Sequence, residues 1–449
     1  MYKSSIKNTL TSSIKANPDR SMLILIFSIF FLLSGPLISI IIEGQTLQIT
    51  TLLICLVMTP FIFQKPIRGL FLLPIFSYLV PESFQYRGIS PGIAFSAITI
   101  LSSLVYILAG KSRPNFSWIW VLIIMMFINM YVIHHAYLLS FIQGVAPFII
   151  FSFVVKKESE GLLTIKYWLG AFAVFSLIHI IKGGVLYSDD SVLQGLASVR
   201  NNQLAGHNPN VLGWISLLYL AVAPTIALTT IDKKERRRWW YYYFGIVLLI
   251  IFSFSRAAMV GLISTFSLLF IFLGKYYGNY KKTVLPFGAG FILLYIIWTL
   301  SLSEGVMIAN RTISVSGISP DLKVRIAMFI GGWQLVAENP FGWGQVNYGT
   351  HSGFMKAAID YGISYLILWI IAYGYLVRTS FFVSKKHPDF NQRIIAIGIM
   401  IAGIVGILQG IFGITMFTAG YAQVFWLFIA YIQLVKKKLD TIRLNSFYS

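Results

Sequence analysis

Arg256 in "FSFSRAAMVG", Arg325 in "DLKVRIAMF" and His351 in "GTHSGFMKAAIDYG" are ionisable groups in a chain that is otherwise mostly apolar. A guanidinium presents a planar fork of donors that grips a phosphate in two places, and a histidine can take up or release a proton near neutral pH. Two fixed cations and one such base are the parts needed to deprotonate an attacking hydroxyl and to stabilise charge on a departing diphosphate. The chemistry this combination predicts is glycosyl or phosphoryl transfer from a lipid diphosphate, a donor that carries its own leaving group and needs no ATP.

Further residues accompany these three. In "AGHNPNVLGW", Asn-Pro and Gly mark a turn feeding an apolar helix, with His207 and Asn210 as candidate substrate contacts. A helix-start cap by Asn208 or Asn210 is the other reading of that turn. Arg311 rivals Arg325 as the second arginine, and Ser352 and Lys356 follow His351. Arg256 and Arg325 also have a plainer reading, as cations anchored in the headgroup layer. No metal or cofactor is expected. The acids on the same side (Glu43, Glu82, Asp189, Asp190, Glu304, Asp321, Glu338, Asp360) are scattered, and Cys55 is the single cysteine, which excludes a cysteine-based zinc site and an internal disulfide.

The elements that must position these groups follow from composition. Apolar residues make up 57% of the 449 and charged ones 11%, with a mean hydropathy of +0.77. A soluble domain with a polar surface cannot be built from that balance, so the expected fold is all-α, a single polytopic integral membrane domain over residues 1–449. The first apolar run follows Lys3, Lys7, Lys15 and Arg20 and has no small-residue cleavage site, which reads as an anchor and not a removed signal. Spans are expected near 21–42, 47–63, 67–81, 92–109, 117–133, 138–154, 162–180, 211–230, 239–254, 257–274, 284–301, 357–376, 394–412 and 417–435. These predict about 12–14 transmembrane helices. Read as one helix, residues 240–274 would be roughly 52 Å long against a hydrocarbon core of about 30 Å, so the helix must break at "SFSRAA".

Charge supplies the orientation. With both termini inside, 26 of the 35 basic residues fall in inner loops, so the +20 net charge is mainly a topology signal and not a nucleic-acid surface. Eight lie outside against that rule: Arg87, Lys182, Arg200, Arg256, Arg311, Lys323, Arg325 and Lys356, while Lys166 falls within a span. The two longest connections, about 181–210 and 302–356, are also outer, and the second includes a helix (Ile326, Phe329, Trp333, Val336 at three- and four-residue steps) ending before Asn339-Pro340. Function therefore points to the outer face. A transporter is the reading from a different class, and its usual marks, ionisable groups deep in the spans and paired broken helices, reduce here to Lys166 and His179 near span ends.

Taken in order, "FSFSRAAMVGLI", "VRIAMFIGGWQLVAENPFGWGQ" and "HSGFMKAAIDYGISY" resemble the signature region of the O-antigen ligase and O-antigen polymerase family over residues 250–370, and "HNPNVLGW" is similar to that family's earlier Asn-containing segment. The last stretch fits the ligase pattern: His351, Ser352, nine residues, Gly362, two residues, Tyr365. The resemblance implies a metal-independent GT-C-type glycosyltransferase in the bacterial inner (cytoplasmic) membrane, acting at the periplasmic face on undecaprenyl-diphosphate-linked glycan. It implies that Arg256 and Arg325 engage the donor diphosphate, that His351 activates the acceptor hydroxyl, and that 181–210 and 302–356 are periplasmic loops with short amphipathic helices. The acceptor would be lipid A-core for a ligase or a growing glycan for an O-antigen or exopolysaccharide polymerase, and the His351 motif favours the ligase. The chain departs from the family in having Ser-Arg-Ala for the common Ser-Arg-Gly, and Ser352 for the common Asn.

Overall fold

The computed structural model describes residues 57–78, 91–133, 138–186, 209–252, 256–274, 320–344, 348, 352–412 and 419–448. Within them the protein is all-helical, with no strand. In chain order the helices are α1 Ile67–Tyr78, α2 Pro91–Leu108, α3 Trp118–Phe127, α4 Leu138–Val154, α5 Glu158–Leu186, α6 Pro209–Thr229, α7 Lys233–Phe252, α8 Arg256–Gly274, α9 Pro320–Glu338, α10 Gly353–Lys386, α11 Phe390–Phe412 and α12 Ala419–Tyr448. Residues 57–64 are also helical and turn at Lys65-Pro66 into α1, while a π-helical segment, Ile128–Ile133, continues α3.

Local chemistry sets the ends. Ser117 and Ser352 cap α3 and α10, each hydroxyl accepting from a backbone N–H of the first turn. Asp232 does the same for α7 through the Glu235 N–H. His387 closes α10 in an extended conformation, the geometry forced on a residue that precedes a proline.

Among the described residues three helices are long and apolar enough to cross a membrane, Pro91–Leu108, Gly353–Lys386 and Phe390–Ile411, and five shorter apolar helices accompany them. Large apolar side chains such as Leu101, Val121, Ile124 and Ile370 are exposed on the outside, as expected of a protein solvated by lipid. The expected break in residues 240–274 is present: α7 ends at Phe252 and α8 starts at Arg256. Of the expected span 67–81, residues 67–78 form a described helix with Pro74 inside it, and the rest lies outside the described residues. The expected spans 21–42 and 284–301, and most of 47–63, lie outside the described residues.

At the centre, α6 and α11 lie side by side and almost wholly buried, flanked by α7, α8, α10 and α12. Small residues mark the crossings. Gly398 meets the Ala221 carbonyl and Thr225, Gly403 meets Leu376 and Val377, and Gly144 meets Ala422. In lipid, helices associate by such close packing and not by a hydrophobic gradient. Several buried hydroxyls are satisfied locally, with Ser96, Thr99 and Ser103 donating to carbonyls four residues back.

Candidate functional site

Three helix N-termini gather around the last turns of α11. Ser352, just ahead of α10, is buried, and its hydroxyl donates to the Gly410 carbonyl at 3.2 Å. One residue earlier, the Gln409 amide donates to the Trp214 carbonyl in the second turn of α6 at 3.3 Å. On α8, Gly261 packs against Leu217 of α6, which leaves Arg256 about 7.5 Å further toward the same end of the bundle. The partial positive charge of these three helix starts faces this end, offset in part by the C-terminal turn of α11 that they surround.

α9 joins them from the side. Gly332 abuts Met355, and Val336 lies with Met355, Ala358, Ile359 and Leu366 in one apolar cluster, so α9 runs along the first part of α10 in the same direction. Arg325, seven residues before Gly332, sits about 10 Å further toward the gathered N-termini. The face of α9 predicted to be apolar is divided. Val336 is buried against α10, whereas Phe329 and Trp333 pack edge to face at 6.3 Å on the exposed side.

Below this end α10 is broken. Gly362 has φ 86° and ψ 169°, and the six residues Asn339–Gly344 enter the gap. Trp343 N–H donates to the Ile359 carbonyl (2.8 Å), Gly344 N–H to the Asp360 carbonyl (3.0 Å), and Ile363 N–H to the Pro340 carbonyl (2.9 Å). The loop thus supplies the hydrogen bonds that the helix gives up, which matters where no water can replace them. Asn339 holds the loop in shape, its side chain accepting from Phe341 N–H and donating to the Gly342 carbonyl. Backbone meets backbone here. A Cβ on Gly362 would fall 2.6 Å from the Phe341 carbonyl, and one on Gly342 would fall 2.6 Å from the Gly362 nitrogen.

Next to the break, Lys356 and Asp360 form an ion pair of 2.9 Å, both largely buried. The π-helical end of α3 packs on the other side, with Asn129 donating to Ser364 at 2.9 Å and the Tyr365 hydroxyl to the Met130 sulfur at 3.2 Å. A π segment wedged against a broken helix is the kind of local irregularity that functional sites tolerate.

Of the residues expected at the site, Arg256 begins α8, Arg325 lies in α9 and Asn210 in the first turn of α6. His207, Arg311 and His351 lie outside the described residues, His351 directly before the Ser352 cap. Ser352 is a helix cap, and Lys356 is held by Asp360. Gln409, Trp214 and Asn129 were not singled out by residue type. The available signal was an isolated amide inside an apolar run, "GILQGIF" for Gln409 and "FINMY" for Asn129. No protein-family model matches the chain, and a search of the curated proteins also finds no match.

Proposed function

We propose that the chain is a metal-independent glycosyltransferase acting as an O-antigen ligase, a GT-C-type protein of about 12–14 transmembrane helices in the bacterial inner membrane with its site toward the periplasm. The observation that carries this reading is the gathering of the α6, α8 and α10 N-termini around Gln409 and Gly410, because those three helix starts bring the motif positions Asn210, Arg256 and Ser352 to one end of the bundle. The donor is undecaprenyl-diphosphate-linked glycan and the acceptor a lipid A-core hydroxyl. His351 takes the hydroxyl proton as the oxygen attacks the anomeric carbon. The bond from that carbon to the diphosphate oxygen breaks, and the diphosphate leaves with the electron pair, stabilised by Arg256, Arg325 and the helix ends.

The test is a gene-deletion strain complemented with wild type, Arg256→Ala, Arg325→Ala or His351→Ala, its lipopolysaccharide run beside a lipid-linked glycan extract. Each variant is expected to insert normally and to lose transfer at least about a hundredfold. Long chains left on the carrier with bare core mark a ligase. Core bearing a single repeat unit marks a polymerase, which needs the same leaving-group chemistry. Wild-type transfer in all three variants overturns the assignment. One observation favours transport as a second reading, namely the interrupted α10, since broken helices build transporter sites. Against it, three of the backbone groups freed at the break are taken by Pro340, Trp343 and Gly344. A transporter would also tolerate His351→Ala.

A further inference from the structure

Two buried polar atoms at the gathered helix ends make no hydrogen bond among the described residues: the indole Nε1 of Trp214 and the amide Oε1 of Gln409. Both residues are more than nine-tenths buried, with 8% and 4% exposure. The orientation of the Gln409 amide follows from its partner. The Trp214 backbone carbonyl can only accept, so the NH2 group faces it and the oxygen remains to be filled. An indole N–H can only donate and an amide oxygen can only accept. Leaving both unmet in the interior is costly, and the cost is removed where a ligand accepts from the first and donates to the second. A hydroxyl is the smallest group that does both.

On the reading given above, we infer that Trp214 and Gln409 form a subsite for a hydroxyl of the first sugar of the lipid-linked donor, the sugar joined to the diphosphate. Three features put a sugar there. Trp214 lies in the second turn of α6, near a helix start of the kind that favours a phosphate. The pair is linked through Gly410 to the cap that immediately follows His351. An indole also offers a flat apolar face of the kind on which sugar C–H groups pack. An internal water would satisfy the same two atoms, and the experiment separates the two occupants.

The full-length protein is reconstituted in nanodiscs, and its affinity is measured for undecaprenyl diphosphate and for the lipid-linked glycan fraction extracted from the host membranes. Wild type is expected to prefer the glycan-bearing lipid. Trp214→Phe is expected to reduce that preference about tenfold, the worth of one hydrogen bond, and to leave the Kd for bare diphosphate unchanged, while Gln409→Met, which also loses the bond to the Trp214 carbonyl, is expected to reduce the preference by a similar factor. Because the ratio of two affinities is read on one protein, packing losses common to both ligands cancel. Should Gln409→Met fail to fold, Trp214→Phe decides alone, since the indole N–H makes no bond among the described residues. An unchanged preference in the variants overturns the subsite and assigns the pair to water. Equal weakening for both lipids also overturns it. Binding of bare diphosphate without any preference in wild type defeats the subsite but spares the diphosphate site, whereas failure to bind either lipid defeats both.

Discussion

Lys166, the one basic residue expected inside a span, is accounted for by a partner on a neighbouring helix. Its ammonium lies 2.8 Å from the Glu235 carboxylate, at the start of α7, which also accepts from the Trp239 indole. Burial pushes the Glu235 carboxyl up, but the hydrogen bond and charge of Lys166 and the Trp239 bond outweigh it, so its pKa is lowered. A carboxyl with a folded pKa below its unfolded value stabilises the protein above the unfolded value, about 4.3, and that contribution disappears as pH falls through the folded value. Glu235→Gln is therefore expected to lower Tm at pH 7, by an amount equivalent to less than about 1 kcal/mol because the pair is partly exposed. The difference from wild type should shrink on acidification. A gap that widens on acidification would contradict the assignment.

At the scale of elements, the splice between the Asn339–Gly344 loop and α10 carries the most structural consequence. Gly362 occupies a backbone region open essentially to glycine alone, and any Cβ there meets the Phe341 carbonyl. Gly362→Ala is expected to cost about 2–4 kcal/mol, from strain and overpacking together. Thermal unfolding in detergent checks this, and a Tm equal to wild type would show that the loop can withdraw without loss. The glycines were legible in "NPFGWGQ" and "IDYGIS", and so was the stop at Glu338, because Asn339-Pro340 ends a helix locally. The insertion itself was not. Apolar residues run through Gly362 at helical spacing, and nothing local tells that a segment some twenty residues earlier takes over the hydrogen bonds of Ile359, Asp360 and Ile363. The π-helical end of α3 was hidden for the same reason, since "FINMYVI" reads as ordinary apolar helix.

For the whole molecule, loops expected on the inner side meet one another. Lys156 donates to the Arg113 carbonyl, Lys437 to Asn115 (2.7 Å), and Glu158 faces both His387 Nε2 (3.5 Å) and Lys438 (3.8 Å). These contacts tie the ends of α4, α5, α10 and α12 together, opposite the end where Ser352 meets Gly410. Burial of the Lys156 ammonium, with Lys437 nearby, lowers its pKa. With Cys55 replaced by serine, Glu338→Cys is expected to react with an impermeant maleimide in intact cells, and Lys437→Cys only after the membrane is opened. The reverse pattern would invert the proposed orientation. The spans themselves were legible because hydropathy and basic loops are local quantities, and α2, α4, α6, α8 and α11 fall within a few residues of expectation. Their neighbours were not, since every apolar helix face reads alike until packed.

The break in α10 also bears on how the protein is made. The part before Gly362 is nine residues long and holds Lys356 and Asp360, a length of about 13 Å that cannot cross the bilayer by itself. The insertion machinery therefore has only the stretch after Gly362 to recognise as a spanning segment. The shorter piece and the uncharged Asn339–Gly344 loop then enter from one face as a unit, each supplying bonds that the other lacks. Threading and completion of the site become separable events in biogenesis. A chain arrested between them would have every terminus on its proper side and still lack the finished splice at Gly362.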